Sequence, residues 1–133
     1  MKFNDLPRET WFELQPYLDT CLLPVTGLSG NEAPYIVTET LERLRDLLYL
    51  LEIPFKGRIV TYPAYHYTGA DEASLTEGLD AVCSRLKESG FRYVIALTLL
   101  EQVPALMHAD LVLGGKHGAD EMNAGVRRLW GQP

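Results

Sequence analysis

The sequence predicts an α/β fold, a three-layer sandwich in which a mostly parallel sheet of about four strands lies between two layers of helices. Four short runs of the chain are almost continuously apolar, which is typical of parallel strands covered on both faces. Segments with the period of amphipathic helices separate these runs, so strands and helices alternate. The chain has 133 residues, the size of one domain, and we expect a single α/β domain over residues 1–133.

The predicted strands are four runs that are too short for helices and too apolar for surface loops. They comprise residues 20–25, 58–62, 93–98 and 111–113. Between the third and fourth runs, residues 99–110 leave room for only a short helix. We expect the strand order 2-1-3-4, which makes the fold flavodoxin-like or Rossmann-like.

A short helix around residues 7–14 is expected before the first strand, and a long amphipathic helix over residues 33–53 is expected after it. Pro34 suits the first turn of the long helix, where no backbone N–H is needed, and Pro54 ends it. The inward face of this helix is marked by apolar residues at spacings of three and four: Val37, Leu41, Leu44, Leu48 and Leu51.

Two further helices follow the second and fourth strands. Ser74 and Glu77 have the spacing of a capping box, so we expect Ser74 to cap the first of these helices, and Gly90 marks its end. The last helix opens near Asp120 and ends before Gly131. The helical segments therefore have recognisable ends as well as recognisable apolar faces.

The C-terminal half of the long helix is apolar on almost every side, because Leu47, Tyr49 and Leu50 adjoin the inward stripe. A single face cannot bury all of these side chains against a sheet. Two explanations remain open. Trp11 and Phe12 of the N-terminal segment cover this end of the helix, or Leu47, Tyr49 and Leu50 form the contact of a homodimer.

Composition and charge exclude several classes of partner. Twelve basic and 18 acidic residues give a net charge of −6, which argues against nucleic-acid binding and against a polybasic membrane contact. No apolar run approaches the ~18 residues that span a membrane, and the N-terminus has no secretory signal, so we expect a cytoplasmic protein. Cys21 and Cys83 lie in apolar stretches without metal-ligand spacing and are expected to be buried thiols.

Three loops at the predicted carboxyl edge of the sheet are candidates for ligand binding, because open parallel sheets bind ligands there. The first loop, residues 26–32, is small and polar, leads into a helix N-terminus, and offers Ser29 and Asn31 to an anion. It matches neither a phosphate-binding P-loop nor a dinucleotide-binding glycine pattern. The alternative is an ordinary connection built of turn residues.

The second loop, residues 62–69, is the most unusual segment of the chain. It contains three tyrosines and a histidine that can hydrogen-bond or stack on a planar ligand: Tyr62, Tyr65, His66 and Tyr67. His66 is also the candidate for a general base. The alternative is that the tyrosines cover the rim of the sheet or a subunit contact and that His66 is simply solvated.

The third loop, residues 114–118, is rich in glycine and contributes Gly115, Lys116 and His117 as candidates. Glycine permits close approach of a ligand to the backbone, and Lys116 adds a positive charge. The alternative is that the glycines only turn the chain. His66 and His117 reach the same edge of the sheet, but two histidines do not make a metal site, and no metal is expected.

Residues 17–24 contain a strand that begins with Asp19 and ends in Pro24, and residues 55–63 contain an F-K-G-R strand that ends in Pro63. In their order and spacing these two segments resemble the YpiF-like family, a small family of bacterial cytoplasmic proteins. The resemblance covers roughly the first half of the chain. Because that family is a domain of unknown function, the resemblance implies no activity and no catalytic residues.

The function predicted from these observations is the binding of a small anionic or planar ligand at the carboxyl edge of the sheet. The alternative is a protein–protein interaction module, or a homodimer, without enzymatic activity. The residues leave open whether the chain is an enzyme, and they point to no particular cofactor.

Overall fold

A computed structural model describes residues 1–67, 71–101, 104–114 and 116–132 of the chain. Within these residues the sheet has four strands, all parallel: β1 (Thr20–Val25), β2 (Ile59–Thr61), β3 (Tyr93–Thr98) and β4 (Leu111–Gly114). Their order across the sheet is β2-β1-β3-β4. The parallel sheet and the 2-1-3-4 order are therefore confirmed.

Four α-helices accompany the sheet in the described residues. They are α1 (Arg8–Leu14), α2 (Pro34–Glu52), α3 (Glu72–Glu88) and α4 (Ala119–Leu129), and a 3₁₀ turn at Phe3–Asp5 precedes them. The four predicted helices are confirmed. In the stretch 99–110, residues 102 and 103 are not described, and the others contain no helix. No helix in the described part of the chain combines the length and the apolar character that crossing a membrane requires.

β1 shows how the sheet separates two hydrophobic layers. Successive side chains of a strand point to opposite faces, and all six residues of β1 are buried. Cys21 and Leu23 pack in a cluster with α3 and with Trp11 of α1, whereas Leu22 packs in a cluster with α2 and α4. A strand covered on both faces is apolar at nearly every position, which explains why apolar and polar residues do not alternate along this run. The three-layer arrangement is therefore confirmed.

α3 begins earlier than predicted, and a different residue caps it. The carboxylate of Asp71 accepts a hydrogen bond from the N–H of Ser74 at 2.7 Å, so Asp71 is the N-cap. The prediction that Ser74 caps this helix is wrong, because an aspartate three residues earlier already satisfies the backbone donor of the first turn. Gly90 adopts a φ of +121° directly after the C-cap, as the sequence predicts.

Trp11 and Phe12 do not cover the apolar end of α2, and the N-terminal residue that lies near it is Lys2, whose ammonium is 5.8 Å from the centre of the Tyr49 ring. The ring of Trp11 lies 5.9 Å from that of Phe91, in the layer of α1 and α3, and Phe12 is 64% exposed. The first explanation for the apolar end of α2 is therefore wrong, because α1 packs on the opposite face of the sheet. Leu47 and Leu50 are instead partly buried against the cluster beneath α2 and α4.

The first two residues run along the outer side of β2. The N–H of Thr61 donates to the carbonyl of Met1 at 2.8 Å, and Lys2 pairs with Thr61 in parallel. The Lys2 ammonium lies 3.0 Å from the carboxylate of Glu52, which is buried and also accepts a hydrogen bond from the Thr61 hydroxyl at 2.7 Å. These contacts cover an edge strand and provide partners for a buried charge.

Two helical glycines provide a matched pair of substitutions. Alanine is favoured over glycine in a helix interior by about 1 kcal/mol. At Gly125 of α4 an added Cβ would lie 3.6 Å from Leu111 Cδ2, an ordinary contact, but at Gly78 of α3 it would lie 2.7 Å from the Tyr65 hydroxyl oxygen. We expect Gly125→Ala to raise the free energy of unfolding by about 0.5–1 kcal/mol and Gly78→Ala to lower it by about 1 kcal/mol, measured by urea denaturation. Equal stabilisation by both changes would contradict the tight packing of Tyr65 against α3.

Candidate functional site

Open parallel sheets bind ligands in the crevice where the strand order reverses. In this sheet β2 lies on one side of β1 and β3 lies on the other, so the crevice is between the C-terminal ends of β1 and β3. A cleft of about 310 Å³ opens there. It is lined by residues that follow the two strands and by residues of α2: Thr26, Leu99, Glu39, Thr40 and Arg43. The position and the volume of this cleft fit a small molecule.

The α2 wall of the cleft contains its charged groups. Glu39 and Thr40 precede Arg43 by four and three residues, so the three side chains share one face of the helix. Arg43 is exposed and forms no ion pair with a carboxylate in the described part of the chain. Arg45, by contrast, pairs with Asp46 at 3.3 Å. The guanidinium of Arg43 is therefore available to an anionic group of a ligand.

Thr26 connects the cleft with the loop that follows β2. It is 4% exposed, its N–H donates to the carbonyl of Tyr65 at 3.1 Å, and its Oγ1 lies 3.0 Å from His66 Nδ1. The same hydroxyl accepts the N–H of Leu28 at 3.3 Å and lies 3.4 Å from the carbonyl oxygen of Tyr65, so Thr26 links the loop after β1 to the loop after β2.

The loop at residues 26–32 already contains an anion of its own. The carboxylate of Glu32 accepts hydrogen bonds from the N–H of Ser29 at 2.9 Å, the N–H of Gly30 at 2.9 Å and the hydroxyl of Ser29 at 2.9 Å. The backbone N–H of Ser29 has the largest effect on the pKa of Glu32, and with the other donors it lowers this pKa to about 2. Asn31 is exposed and donates its N–H to the Ser29 hydroxyl at 3.3 Å. An external anion would therefore have to displace Glu32 from these donors.

The three tyrosines of the loop at residues 62–69 do not converge on one point. The ring of Tyr62 packs edge-to-face on Phe91, with 5.3 Å between centroids, and burial raises the pKa of its hydroxyl. Tyr65 packs against the same cluster, and its hydroxyl oxygen approaches Gly78 of α3. Both rings therefore belong mainly to the layer of α1 and α3.

Tyr67 and His66 are the members of this loop that border the first loop. Tyr67 is 70% exposed and adopts a φ of +56°, which is uncommon for a residue with a side chain. Its ring centre lies 5.9 Å from that of His66, and its Cδ1 is close to Gly30. The loops that follow β1 and β2 are therefore in contact at the carboxyl edge of the sheet.

The third candidate loop lies apart from the other two. Gly115 is outside the described residues, and Lys116 is exposed. The Nδ1 of His117 accepts the N–H of Gly114 at 3.0 Å, which makes His117 part of the turn from β4 into α4. Because β2 and β4 are at opposite ends of the sheet order, the strands preceding His66 and His117 are three strand spacings, about 14 Å, apart. The two histidines share an edge of the sheet without meeting.

The structure shows no assembled metal-binding cluster in the described residues. No three His, Cys, Asp or Glu side chains there are close enough to hold a metal ion. Cys21 and Cys83 are fully buried free thiols, as predicted, and burial raises the pKa of both, to about 11 for Cys83. A thiol with a raised pKa and no exposure is a poor nucleophile.

A family model described as "Protein of unknown function (DUF2487)" matches residues 9–105, about three quarters of the chain. The chain belongs to this family. The match extends beyond the first half of the chain and includes the residues that line the cleft. The resemblance to YpiF-like proteins is consistent with this membership. No curated protein and no solved structure matches the chain significantly.

The site residues predicted from the sequence all lie on loops, and none of them belongs to the α2 wall of the cleft. In the sequence, Glu39 and Arg43 cannot be distinguished from Glu42 and Arg45, because all four are charged residues of one amphipathic helix. Only the packing of α2 on the sheet shows which side of the helix borders the crevice. A signal was nevertheless present, since the helix that follows the first strand of such a sheet begins beside that crevice.

Proposed function

We propose that this protein binds a small ligand in the cleft between β1 and β3, and that Arg43 holds an anionic group of the ligand. The observation that supports this function is a cleft at the reversal of strand order whose wall contains an arginine without an ion-pair partner in the described residues. Thr40 lines the same cleft, and its hydroxyl can donate and accept hydrogen bonds, whereas the hydroxyl of Thr26 is already bonded to the N–H of Leu28 and to His66.

The charges of the cleft favour a ligand with a single negative charge. Arginine binds a carboxylate through two parallel hydrogen bonds. Glu39 lines the cleft one helical turn before Arg43, where it repels a second anionic group and accepts a hydrogen bond from a donor. A small monocarboxylate with a hydroxyl or amino group near its carboxylate fits these residues best.

A thermal-shift screen with small hydroxy- and amino-carboxylates tests this proposal. A ligand that binds only the folded state stabilises it by about 2.7 kcal/mol at a hundred times its Kd, so we expect a rise of several degrees in Tm for at least one compound. Arg43→Ala is expected to abolish the rise. Arg45→Ala is the matched control, because it removes the same charge from the same helix outside the cleft, and it is expected to retain the rise.

Three outcomes would contradict the proposal. The first is a Tm that no carboxylate in the screen changes. The second is an equal loss of the shift in Arg43→Ala and Arg45→Ala, which would assign the effect to net charge. The third is a larger shift with nucleotides or sugar phosphates than with any monocarboxylate, which would contradict the single-charge limit attributed to Glu39.

Self-association through α2 is the second candidate. Tyr49 is 43% exposed and Ile53, directly after the helix, is 73% exposed, so this end of α2 presents apolar surface. Leu47 and Leu50 contribute less surface than the sequence suggested, since both are partly buried against the core. If Tyr49 is the centre of a dimer contact, we expect a dimer in sedimentation experiments and a monomer for Tyr49→Glu. A natural sequence that stays monomeric at high concentration would contradict self-association. Neither candidate includes an enzymatic activity, and both retain the expectation of a cytoplasmic protein.

A further inference from the structure

Six side chains form a continuous line of arginines and aromatic rings, here called the arginine–aromatic row. Its members, in spatial order, are Arg92, Tyr93, Arg58, Trp130, Phe55 and Arg127. The separations of guanidinium carbons or ring centres along the row are 5.2 Å for Arg92–Tyr93, 5.8 Å for Tyr93–Arg58, 4.1 Å for Arg58–Trp130, 5.2 Å for Trp130–Phe55 and 5.7 Å for Phe55–Arg127. Each arginine is thus within cation–π distance of at least one ring.

The row lies at the N-terminal edge of the sheet, opposite the cleft. Arg58 and Arg92 directly precede β2 and β3, whose N-terminal ends share one edge in a parallel sheet. The indole N–H of Trp130 donates to the hydroxyl of Thr20, the first residue of β1, at 3.0 Å. This bond brings the C-terminal end of α4 to the same edge.

The centre of the row is held by an ion pair, and its ends are open. The guanidinium of Arg58 donates to both carboxylate oxygens of Asp19, at 2.8 Å and 3.0 Å. Arg92 and Arg127, at the two ends, are exposed and form no ion pair with a carboxylate in the described part of the chain. The row therefore presents two guanidinium groups whose N–H donors form no ion pair in the described residues, beside aromatic rings that Arg58 and Asp19 hold in place.

The charges of the helices make this edge of an acidic protein locally positive. In α4, Asp120 and Glu121 lie in the first turn and Arg127 and Arg128 in the last, which is the distribution that the helix dipole favours. Lys56, in the turn before β2, adds a further exposed cation. Two carboxylates lie at this edge near the row, and both are already paired, Asp19 with Arg58 and Asp110, directly before β4, with Lys87. This edge is therefore positively charged although the net charge of the chain is −6.

We propose that the arginine–aromatic row binds an acidic segment of a partner protein. Guanidinium groups bind carboxylates through paired hydrogen bonds. Because Arg92 and Arg127 already stack on rings, their side chains are partly ordered before binding and lose less conformational entropy when a carboxylate binds. Nucleic acid fits less well, because the rings available for base stacking already contact guanidinium groups and the chain as a whole repels a phosphate backbone. A second copy of the chain fits less well too, because an acidic region elsewhere on that copy is a different surface from the row, so the contact is head-to-tail and gives a ring or a filament rather than a two-fold dimer.

Fluorescence anisotropy with a labelled peptide of glutamates tests the proposal at low salt. We expect Arg92→Gln/Arg127→Gln to weaken binding of this peptide about tenfold. The matched control is Arg8→Gln/Arg45→Gln, which also removes two exposed positive charges, from α1 and α2, and is expected to change the affinity less than about twofold. Circular dichroism and Tm measurements check that both variants are folded, which we expect because exposed cation–π contacts contribute little to stability.

Several results would overturn the proposal. A glutamate peptide that binds no better than a glutamine peptide of the same length shows that the row does not bind carboxylates. Equal weakening by the two double variants assigns binding to net charge alone. Tighter binding of single-stranded oligothymidylate than of the glutamate peptide, lost in Arg92→Gln/Arg127→Gln, identifies the row as a nucleic-acid surface instead. None of these results depends on the ligand of the cleft, so the proposed function is tested separately.

Discussion

Replacing Leu51 by alanine is expected to lower the free energy of unfolding by about 3–5 kcal/mol. Leu51 is fully buried in the cluster that joins α2 and α4 to the sheet. The substitution loses the transfer free energy of the removed methyl groups and leaves a cavity that the surrounding side chains fill only partly. Because a domain of this kind is stable by about 5–15 kcal/mol, this change removes a large part of the total.

Ile53→Ala is the matched control for Leu51→Ala. Ile53 lies two residues further along the chain but is 73% exposed, so we expect a change within about 0.5 kcal/mol. The midpoint of urea denaturation, at an unchanged m-value, measures both effects. Equal effects of the two substitutions would contradict the orientation of α2 on the sheet, and with it the placement of Arg43 in the cleft.

Replacing Arg58 by alanine is expected to lower the free energy of unfolding by about 2–3 kcal/mol. The change leaves the carboxylate of Asp19 with only the Thr20 hydroxyl as a side-chain partner, and it removes the guanidinium that stacks on Trp130. Breaking a fully buried ion pair costs about 3–5 kcal/mol. We expect less here because the Arg58 and Asp19 side chains are 29% and 25% exposed, so that water screens part of the interaction.

The same ion pair predicts how stability depends on pH. Partial burial raises the pKa of Asp19, but the hydrogen bonds from Arg58 and Thr20 and the charge of Arg58 together outweigh it and leave the pKa below its usual value. The unfolded chain, with a pKa of about 3.9, then binds more protons than the folded chain in the interval between the two values. This contribution is therefore complete above about pH 5 and is lost as the pH falls through the folded-state pKa.

Asp19→Asn isolates this contribution to the pH dependence. We expect the variant to lose stability less steeply than the natural sequence below about pH 4, because the substituted side chain cannot be protonated in that range. Urea denaturation at a series of pH values measures the two slopes. Identical slopes would contradict a lowered pKa for Asp19. The variant also separates charge from packing, since asparagine has nearly the same size and shape as aspartate.

The strands were predictable because burial on both faces requires continuous apolar runs. The predicted and observed bounds coincide for β1 and β3. β2 is shorter than predicted, because the N–H of Arg58 closes a turn to the carbonyl of Phe55, although the N–H of Tyr62 still donates to the carbonyl of Leu22. The capping of α3 was less predictable, since Asp71 and Ser74 are both good N-cap residues and the sequence does not show which of them the helix uses.

The candidate site was predictable in its edge of the sheet but not in its residues. The sequence predicts a site at the carboxyl edge of the sheet, where the cleft lies. This edge was predictable because the alternation of strands and helices, which sets the direction of the strands, is a local pattern. Whether Ser29 remains open to a ligand depends on Glu32, whose carboxylate fills the donors of that loop. Whether Tyr62 faces a ligand or the core depends on Phe91, a residue far away in the chain.

The sequence by itself determined the alternation of strands and helices, the parallel direction of the sheet, and the helix ends where proline or glycine stands. These features follow from the spacing of apolar residues and from backbone chemistry, which act over a few residues. Only the tertiary structure decided which layer Trp11 joins, that Arg43 lines the cleft, and that Trp130 lies beside Thr20 and Arg58. Thr20 and Trp130 are 110 residues apart, and a contact over such a distance is set by how the layers pack, which no local pattern records.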